Sequence, residues 1–426
     1  MNNISKTNKV IHNTWKIIPN PYRVGFPIES DDVFVGRVSL IKEVIAELNN
    51  NTIYMIGKRR IGKTSILKYI QRHYLSTEES ITIFLSAEKM LFDSTNNFLR
   101  SFSGPIANEF YKSRFISKDN RNDYLNAIRE NGLVDFGLFF DDILNLIKTQ
   151  NKTLVLIIDD YSIIQEAITD NRIDSQFLEI LREYHQNNSN GFKLIYSGSS
   201  SLKYLTNLQS KDKMGIGKSI EVSYLDVKDV RMLISNPTND QMHFEDDAFL
   251  YLMDITQGHP FFVQFILSYL VDLLNRENNG SIILKKYIES GMKYFLEQVL
   301  NFADDWNNDI YSENFNWNEK EVIQAKVYKQ LIITAITDNW KEIKSGLKRE
   351  EIFSILENSL TDYHKVNLAI FDEVINVLTI TEDVIKHEQG LYFIKLGLFR
   401  EWVIVKMNLT FNITLTNSKK LLTNKF

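Results

Sequence analysis

One eight-residue stretch constrains the fold of this chain more than any other. It reads Gly57-Lys-Arg-Arg-Ile-Gly-Lys-Thr64 and satisfies the pattern G-x-x-x-x-G-K-[ST] at every fixed position. The apolar run 52–56 before it predicts a buried strand, and the amphipathic run 65–74 after it predicts a helix. A glycine-bent loop between strand and helix turns its N–H groups towards phosphate oxygens, and the helix N-terminus adds the positive end of its dipole. The sequence therefore predicts a phosphate-binding loop in an α/β fold.

Several side chains of this loop have a predicted task. Lys63 is expected to contact the β- and γ-phosphates, and Thr64 to give its hydroxyl to Mg²⁺, which prefers oxygen ligands. Arg60 is a candidate for contact with phosphate or with a neighbouring subunit, or else belongs to a solvated charge pair with Arg59. The other nucleotide contacts predicted in and beside the loop are Gly57, Ile61, Gly62 and Ser65. The alternative interpretation of the stretch is an ordinary glycine-containing turn between a strand and a helix.

A pair of acids follows a second buried strand. The run 153–158 is continuously β-prone, and Asp159 and Asp160 fall where it ends. We expect Asp159 to hold the shell of Mg²⁺ and Asp160 to orient the attacking water. Because aspartate is one methylene shorter than glutamate, slow turnover is expected. The alternative is that the two acids only cap the end of a strand.

The next predicted strand, 193–197, runs into a serine-rich turn that begins Gly198-Ser199. Ser199 is the candidate sensor of the γ-phosphate, with an ordinary turn as the alternative. A guanine-reading Asn-Lys-x-Asp motif does not follow the later strands, which favours adenine. The predicted ligands are therefore ATP and Mg²⁺, and the predicted activity is ATP hydrolysis.

Strand and helix patterns alternate through the first half of the chain. The predicted strands are 52–56, 81–86, 153–158, 193–197 and 219–225. This alternation predicts a parallel five-stranded sheet flanked by helices on both faces. The stretch 215–219, which ends in Gly-Lys-Ser but has Asp212 at the first loop position, is interpreted as a loop.

Five segments follow from these patterns. They are an N-terminal lead-in (1–35), a nucleotide-binding core (36–226), a helical unit (227–300), a third unit (301–407) and a basic tail (408–426). In the third unit, helix patterns near 322–337, 349–357 and 369–378 precede a strand pair around Gly390.

The order of the motifs resembles a known family, the STAND-type AAA+ ATPases, and most closely the branch named after archaeal ATPases. The motifs that carry the resemblance are Asn20-Pro21-Tyr22, Val35-Gly36-Arg37, Gly57–Thr64, Asp159-Asp160, Gly198-Ser199-Ser200 and Gly258-His259-Pro260. The resemblance implies a P-loop (AAA+/ASCE) core, a helical lid and a C-terminal winged-helix domain. It also implies that Val35, Gly36 and Arg37 wrap the adenine and that Pro260 closes over the nucleotide, with His259 either in that contact or packed as a polar residue.

Three functions are compatible with these features. The resemblance implies an ATP-driven switch that forms homo-oligomers or engages a separate effector protein, in antiviral defence or regulation. A DNA-handling ATPase and a nucleotide-bound scaffold that does not hydrolyse ATP are the alternatives. Residues 351–390 contain eight acids against two lysines, a net charge of −6, which disfavours DNA and favours protein docking or autoinhibition by this segment.

Composition excludes some classes of protein. The sequence contains no cysteine, so disulfides and Cys-ligated metal sites are excluded. The longest apolar stretch, 261–274, is interrupted by Gln264, Ser268 and Asp272, and neither a membrane span nor a secretion signal is expected. The predicted location is the cytoplasm.

Overall fold

The computed structural model of the chain describes residues 17–187, 191–199, 217–277, 282–298, 319–360, 365–381 and 384–405. In the first half, the elements are α1 (Val38–Glu47), β1 (Thr52–Ile56), α2 (Lys63–Ile70), β2 (Ser80–Ser86), α3 (Thr95–Lys112), α4 (Lys118–Asn131), α5 (Leu133–Thr149), β3 (Thr153–Asp159), α6 (Tyr161–Thr169), α7 (Gln176–Asn187), β4 (Phe192–Gly198) and β5 (Gly217–Glu221).

The five strands form one parallel sheet in the order β2-β3-β4-β1-β5. The predicted five-stranded parallel sheet flanked by helices is therefore confirmed. β4 lies between β1, which leads into the phosphate loop, and β3, which ends at Asp159. Since all strands run in one direction, their carboxyl ends meet at one edge of the sheet, where ligands of open α/β sheets bind.

Side chains alternate between the two faces of this sheet, and each face has its own core. From β1, Tyr54 and Ile56 join a core rich in phenylalanine, whereas Ile53 and Met55 join a smaller aliphatic core. Helices α3, α5, α6 and α7 cover the first face, and α1 and α2 cover the second. Burial on both faces explains why the central strands are continuous apolar runs in the sequence.

Helices dominate the segment after β5. It consists of α8 (Val227–Thr238), β6 (His243–Phe244), α9 (Asp246–Thr256), α10 (Pro260–Glu277), β7 (Ile282–Ile283) and α11 (Lys285–Gln298). Asp226 caps α8 by accepting a hydrogen bond from the N–H of Asp229. The two-residue strands β6 and β7 pair in parallel, a ladder that the helix patterns of the sequence did not indicate.

The C-terminal part contains α12 (Glu319–Ile343), α13 (Arg349–Leu360), α14 (Leu368–Asn376), β8 (Ile385–Glu388) and β9 (Leu391–Ile394), followed by helical residues 397–405. β8 and β9 form an antiparallel hairpin. Gln389 and Gly390 connect them, both with positive φ (51° and 81°), as a two-residue type I′ turn requires. The strand pair predicted around Gly390 is confirmed.

One prediction about the elements of the sheet is wrong. Residues 217–219, interpreted as part of a loop, begin β5, which ends at Glu221 and not at 225 as predicted. The polar residues Lys218 and Ser219 belong to an edge strand of the sheet. Such a strand need not carry apolar side chains on both of its faces. Residues 1–16 of the predicted lead-in, 301–318 of the predicted third unit and all of the predicted tail, 408–426, lie outside the described residues, and the domain boundaries stay predictions.

Among the described helices, none combines the length and the apolar character that a membrane span requires.

Candidate nucleotide-binding site

A cleft of about 710 Å³ opens at the carboxyl edge of the sheet. Five parts of the chain form its wall: the phosphate loop with the start of α2, the ends of β2 and β3 with the residues after them, the N-terminal residues 23–28, the start of α10, and Ser101 and Pro105 of α3. The cleft therefore lies between the sheet and the helical segment. It has the position that a nucleotide takes in open α/β sheets.

The phosphate loop has the backbone that its glycines permit. Arg60 and Gly62 both have left-handed φ angles (61° and 99°), which curl the loop into α2. A Cβ on Gly57 would lie 3.0 Å from Ile61 Cγ2 and from the Val222 carbonyl oxygen, so glycine fits best there. α2 begins at Lys63, and its N-terminus therefore points its free N–H groups at the cleft.

Lys63 is the buried cation of the loop, with 8% of its surface exposed. Its ammonium donates hydrogen bonds to the carbonyl oxygens of Gly57 and Lys58, both at 2.9 Å. Burial lowers the pKa of Lys63 to about 8, although Asp160 and Asp159 favour its charged form. Burial removes the water that would otherwise stabilise the charged ammonium. A triphosphate at this position would stabilise that charge with its own negative charge.

Thr64 and Asp159 meet directly. The Thr64 hydroxyl donates to Asp159 Oδ2 at 2.7 Å, although the two residues lie 95 positions apart in the chain. The Ser197 hydroxyl on β4 donates to the other carboxylate oxygen, Oδ1. Asp159 and Ser197 are both buried, so this carboxylate is held in one orientation by hydroxyls from two different elements.

These oxygens fit a magnesium ion. Mg²⁺ takes hard oxygen ligands and is usually bound through one or two carboxylates together with phosphate oxygens. Thr64 and Asp159 would hold it, and when bound it would neutralise charge on the phosphate oxygens. Both predicted metal ligands therefore stand side by side.

Asp160 immediately precedes α6 and has a left-handed conformation, with φ 56° and ψ 41°. Its N–H donates to the Ser197 hydroxyl at 3.4 Å, and its side chain lines the cleft. Burial, followed by the charge of Asp159, raises the pKa of Asp160 to about 6, and Glu88 acts in the same direction. A carboxyl with a pKa in this range can accept a proton near neutral pH.

Ser199 lies in a different environment from the one predicted for a phosphate sensor. Its N–H donates to the Ser162 hydroxyl at 3.0 Å, and the two hydroxyls are also 3.0 Å apart. Ser199 is not among the residues that line the cleft, whereas Asp160 and Lys63 are. The geometry ties Ser199 to α6.

The predicted adenine-side residues lie behind the loop. Val35 and Arg37 line a smaller cavity next to the cleft, together with Ile61. The Arg37 guanidinium donates to the carbonyl oxygens of Tyr224 and Ile61, each at 3.5 Å, and burial lowers its pKa. Gly36 has a φ of 66°, and a Cβ there would lie 2.1 Å from Asp229 Oδ2. This turn therefore joins the loop, the end of the sheet and α8.

The N-terminal segment is fastened on both sides of the cleft. The Asn20 amide donates to Asp272 Oδ1 at 3.0 Å and to the Ser268 hydroxyl at 3.0 Å, both on α10. On the other side, the N–H of Ile28 donates to the Ser65 hydroxyl at 3.0 Å. Residues 23–28 thereby bridge α10 and α2 along the wall of the cleft.

The start of α10 closes the cleft from above. Pro260 lines both the cleft and the smaller cavity. The Arg60 guanidinium stacks over the Phe261 ring at 4.8 Å, so Arg60 contacts α10 directly. His259 is buried between Tyr224 and Phe262, with ring centroids 5.3 and 4.6 Å away, and burial lowers its pKa to about 3.

Three contributors to the site escaped the sequence analysis: Ser197, Glu88 and Gln264. Ser197 lies near the end of one strand and Glu88 follows another, at the same sheet edge as the acids. The sequence therefore indicated where each residue lies but not what it does. Gln264 lies four residues after Pro260 on α10, which places both on one helix face. That spacing was the available indication.

The fold is that of the P-loop ATPases. A Walker-type ATPase of Pyrococcus abyssi is similar over 89% of this chain and 98% of its own, with a TM-score of 0.59 and 14% identity. The ORC2 protein of Aeropyrum pernix, in ADPNP–ADP complexes, is similar over 95% of this chain and 98% of its own, with a TM-score of 0.62 and 11% identity. At these identities the likeness is one of fold.

The chain belongs to the AAA-like domain family, whose model matches residues 25–310. The match covers the sheet, the phosphate loop and the helical segment after β5. A search of curated proteins gives no significant match.

Proposed function

We propose that this protein binds ATP with Mg²⁺ and hydrolyses it slowly, as a switch of the STAND type. The observation that carries the proposal is the contact of Thr64 with Asp159, 2.7 Å from hydroxyl to carboxylate, at the cleft that Lys63 also lines. A phosphate loop, a metal-binding pair and a carboxylate for water are the parts that nucleotide hydrolysis needs.

In this proposal each residue has one task. Lys63 and the loop N–H groups hold the β- and γ-phosphates, while Thr64 and Asp159 hold the metal. Asp160 orients the attacking water and accepts its proton. The short side chain of Asp160 supports slow turnover, because aspartate reaches one methylene less far than glutamate.

Closure of α10 would be the conformational step. Arg60 on the phosphate loop already contacts Phe261 at the start of α10, and residues 23–28 bridge α10 and α2. A ligand that contacts the loop and α10 together binds the closed form better than the open one, and so shifts the population towards it. The closed form would then favour association with further copies or with an effector protein.

Single-turnover hydrolysis tests the catalytic part of this proposal. Asp160→Asn should reduce the rate about 100-fold or more while ATP affinity changes little, because the carboxylate acts on the water and not on the phosphates. Wild-type protein that binds Mg–ATP without any turnover would instead support the nucleotide-bound scaffold.

The switch itself is tested by mass. Light scattering with and without a non-hydrolysable ATP analogue should give a larger assembly, or an effector complex, with the analogue only. A role in antiviral defence or regulation is the part of the proposal that rests on the resemblance to STAND proteins alone.

A DNA-handling ATPase is the second candidate. The three helices followed by a hairpin in the C-terminal part favour it, because this order of elements is the one that a winged helix needs. The net charge of −6 over 351–390 opposes it. Titration with duplex DNA at two salt concentrations tests this candidate. A protein that contacts the DNA phosphates binds at low salt, and its affinity falls steeply as the salt concentration rises.

A further inference from the structure

Gln264 has a buried amide oxygen for which the described residues supply no hydrogen-bond donor. The residue is 8% exposed and lies on α10, on the face that turns towards the cleft. A buried carbonyl without a donor costs free energy, because folding removes the water that would hydrogen-bond to it and supplies no donor in its place. Such an atom in a ligand cleft points to a donor that the ligand brings.

Gln264 lines two adjoining spaces. One is the cleft that holds Lys63, and the other is the smaller cavity behind the loop. The two spaces share Ile28, Gly62, Ser65, Pro260 and Gln264. The amide therefore lies where the phosphate side of the cleft passes into the inner cavity.

The inner cavity is mostly apolar. Its aliphatic lining residues are Ile28, Val33, Val35, Ile61, Ile66, Leu225 and Leu233. Small-molecule sites of this kind combine apolar walls, which suit a flat aromatic ring, with a few polar groups that fix orientation. The inner cavity is only about 30 Å³, too small for a purine base. The base would therefore lie in the 710 Å³ cleft, against the mouth of this cavity, where Gln264 and Pro260 also form the wall.

Among the described polar side chains of this cavity, only Gln264 has an acceptor atom without any hydrogen-bond partner. Arg37 is engaged by the carbonyl oxygens of Tyr224 and Ile61. The Ser65 hydroxyl accepts the N–H of Ile28. Gln264 Oε1 remains, and it can only accept.

We propose that Gln264 reads the base of the nucleotide by accepting a hydrogen bond from the exocyclic amine of adenine. The glutamine amide is a known match for the donor and acceptor edge of adenine. Guanine carries a carbonyl oxygen where adenine carries that amine, so it would set an acceptor against the Gln264 oxygen as the structure orients it. The inference rests on the proposed ATP binding and adds the group that selects the base.

The experiment is a thermodynamic cycle on the full chain with Mg²⁺. The affinities of ATP and of purine riboside triphosphate, which lacks only the amine, are measured for wild type and for Gln264→Met, a substitution of similar length. Wild type should prefer ATP about tenfold, since one hydrogen bond to a buried acceptor is lost with the analogue. Gln264→Met should bind both nucleotides equally, while the control Gln298→Met, at an exposed site on α11, keeps the preference.

Two results would overturn the inference while ATP binding stands: equal wild-type affinities for the two nucleotides, or an unchanged preference in Gln264→Met. If the methionine variant does not fold, Gln264→Leu replaces it, and the wild-type comparison still decides the first result. Failure of wild type to bind either nucleotide would instead remove the proposed function itself.

Discussion

Asp159 illustrates how single residues organise this site. Its carboxylate is buried and receives a hydroxyl on each oxygen, from Thr64 on α2 and from Ser197 on β4. With a metal bound, the Thr64 hydroxyl would be a ligand of the metal. The Ser197 hydroxyl would still donate to the carboxylate and orient it. Partners of this second kind commonly change metal affinity or activity by one to two orders of magnitude.

Ser197→Ala should therefore raise the Mg²⁺ concentration needed for half-maximal ATP hydrolysis, by about tenfold. The measurement is turnover against Mg²⁺ concentration at fixed ATP. Ser199→Ala is the matched control, because Ser199 contacts Ser162 and does not line the cleft, and it should behave as wild type. A strong effect of Ser199→Ala with none from Ser197→Ala would instead support the predicted role of Ser199 as the phosphate sensor.

The two shifted groups at the cleft predict a pH window. Lys63, with its pKa lowered to about 8, loses its charge as pH rises through 8, so ATP affinity should fall there. Asp160, with its pKa raised to about 6, gains a proton as pH falls through 6, so the rate of hydrolysis should fall there. Measuring ATP affinity and single-turnover rate from pH 5 to 9 separates the loss of affinity at high pH from the loss of rate at low pH. A rate that stays flat down to pH 5 would contradict the role of Asp160.

At the scale of elements, Gly258 fixes the approach of the α9–α10 turn to the end of the sheet. It has a φ of 75°, and its carbonyl oxygen accepts the N–H of Leu225 at 2.9 Å. A Cβ on Gly258 would lie 2.1 Å from the Leu225 carbonyl oxygen, which is backbone and cannot rotate away. The cleft depends on this contact, because Pro260 follows two residues later.

Gly258→Ala should lower the free energy of unfolding by more than about 2 kcal/mol, as left-handed strain and a backbone clash combine. Gly25→Ala is the control: its φ is 86°, but nothing lies within 4 Å of the added Cβ. Only the strain, about 1 kcal/mol, should appear there. Urea unfolding of both variants measures the difference. Equal losses of unfolding free energy would show that the backbone shifts and relieves the clash with the Leu225 carbonyl oxygen.

Elements with strong periodicity were predictable from the sequence, and those that depend on pairing were not. β1 has the predicted bounds, 52–56. β5 begins with polar residues because β1 supplies its hydrogen bonds, and the two-residue ladder of β6 and β7 is too short for a pattern. The loop motif placed Lys63 and Thr64, but the donor from Ser197 depends on strand order, which local sequence does not encode.

At the scale of the whole molecule, the helices after β5 and the C-terminal elements share one hydrophobic core. The two parts also meet in polar contacts. Arg400 stacks over Trp340 at 4.4 Å and pairs with Asp254 on α9 at 3.5 Å. Lys395 lies 4.7 Å from the ring centroid of Tyr224, whose ring in turn contacts His259. The C-terminal part therefore touches the segment that would move when the cleft closes.

Arg400→Met should remove the stacking on Trp340, worth about 1 kcal/mol, and so loosen residues 397–405 against α12. The lost pair with Asp254 on α9 should add little, because Asp254 is half exposed and the pairing is screened. Hydrogen exchange of residues 385–405 reports this loosening as faster exchange. Arg172→Met, which removes a solvent-exposed pair with Asp170, should leave this segment unchanged. Identical exchange in both variants would contradict a coupling through Arg400.

Equilibrium titration of the full chain with Mg–ATP tests the central claim most directly. Wild type should bind, and Lys63→Ala should weaken binding about 100-fold or more, because it removes the buried ammonium that faces the phosphates. Lys68→Ala, which removes the same charge from another residue lining the cleft, should change affinity by less than about threefold. Wild-type protein without affinity for Mg–ATP, or a Lys63→Ala variant that binds as tightly as wild type, would contradict the account.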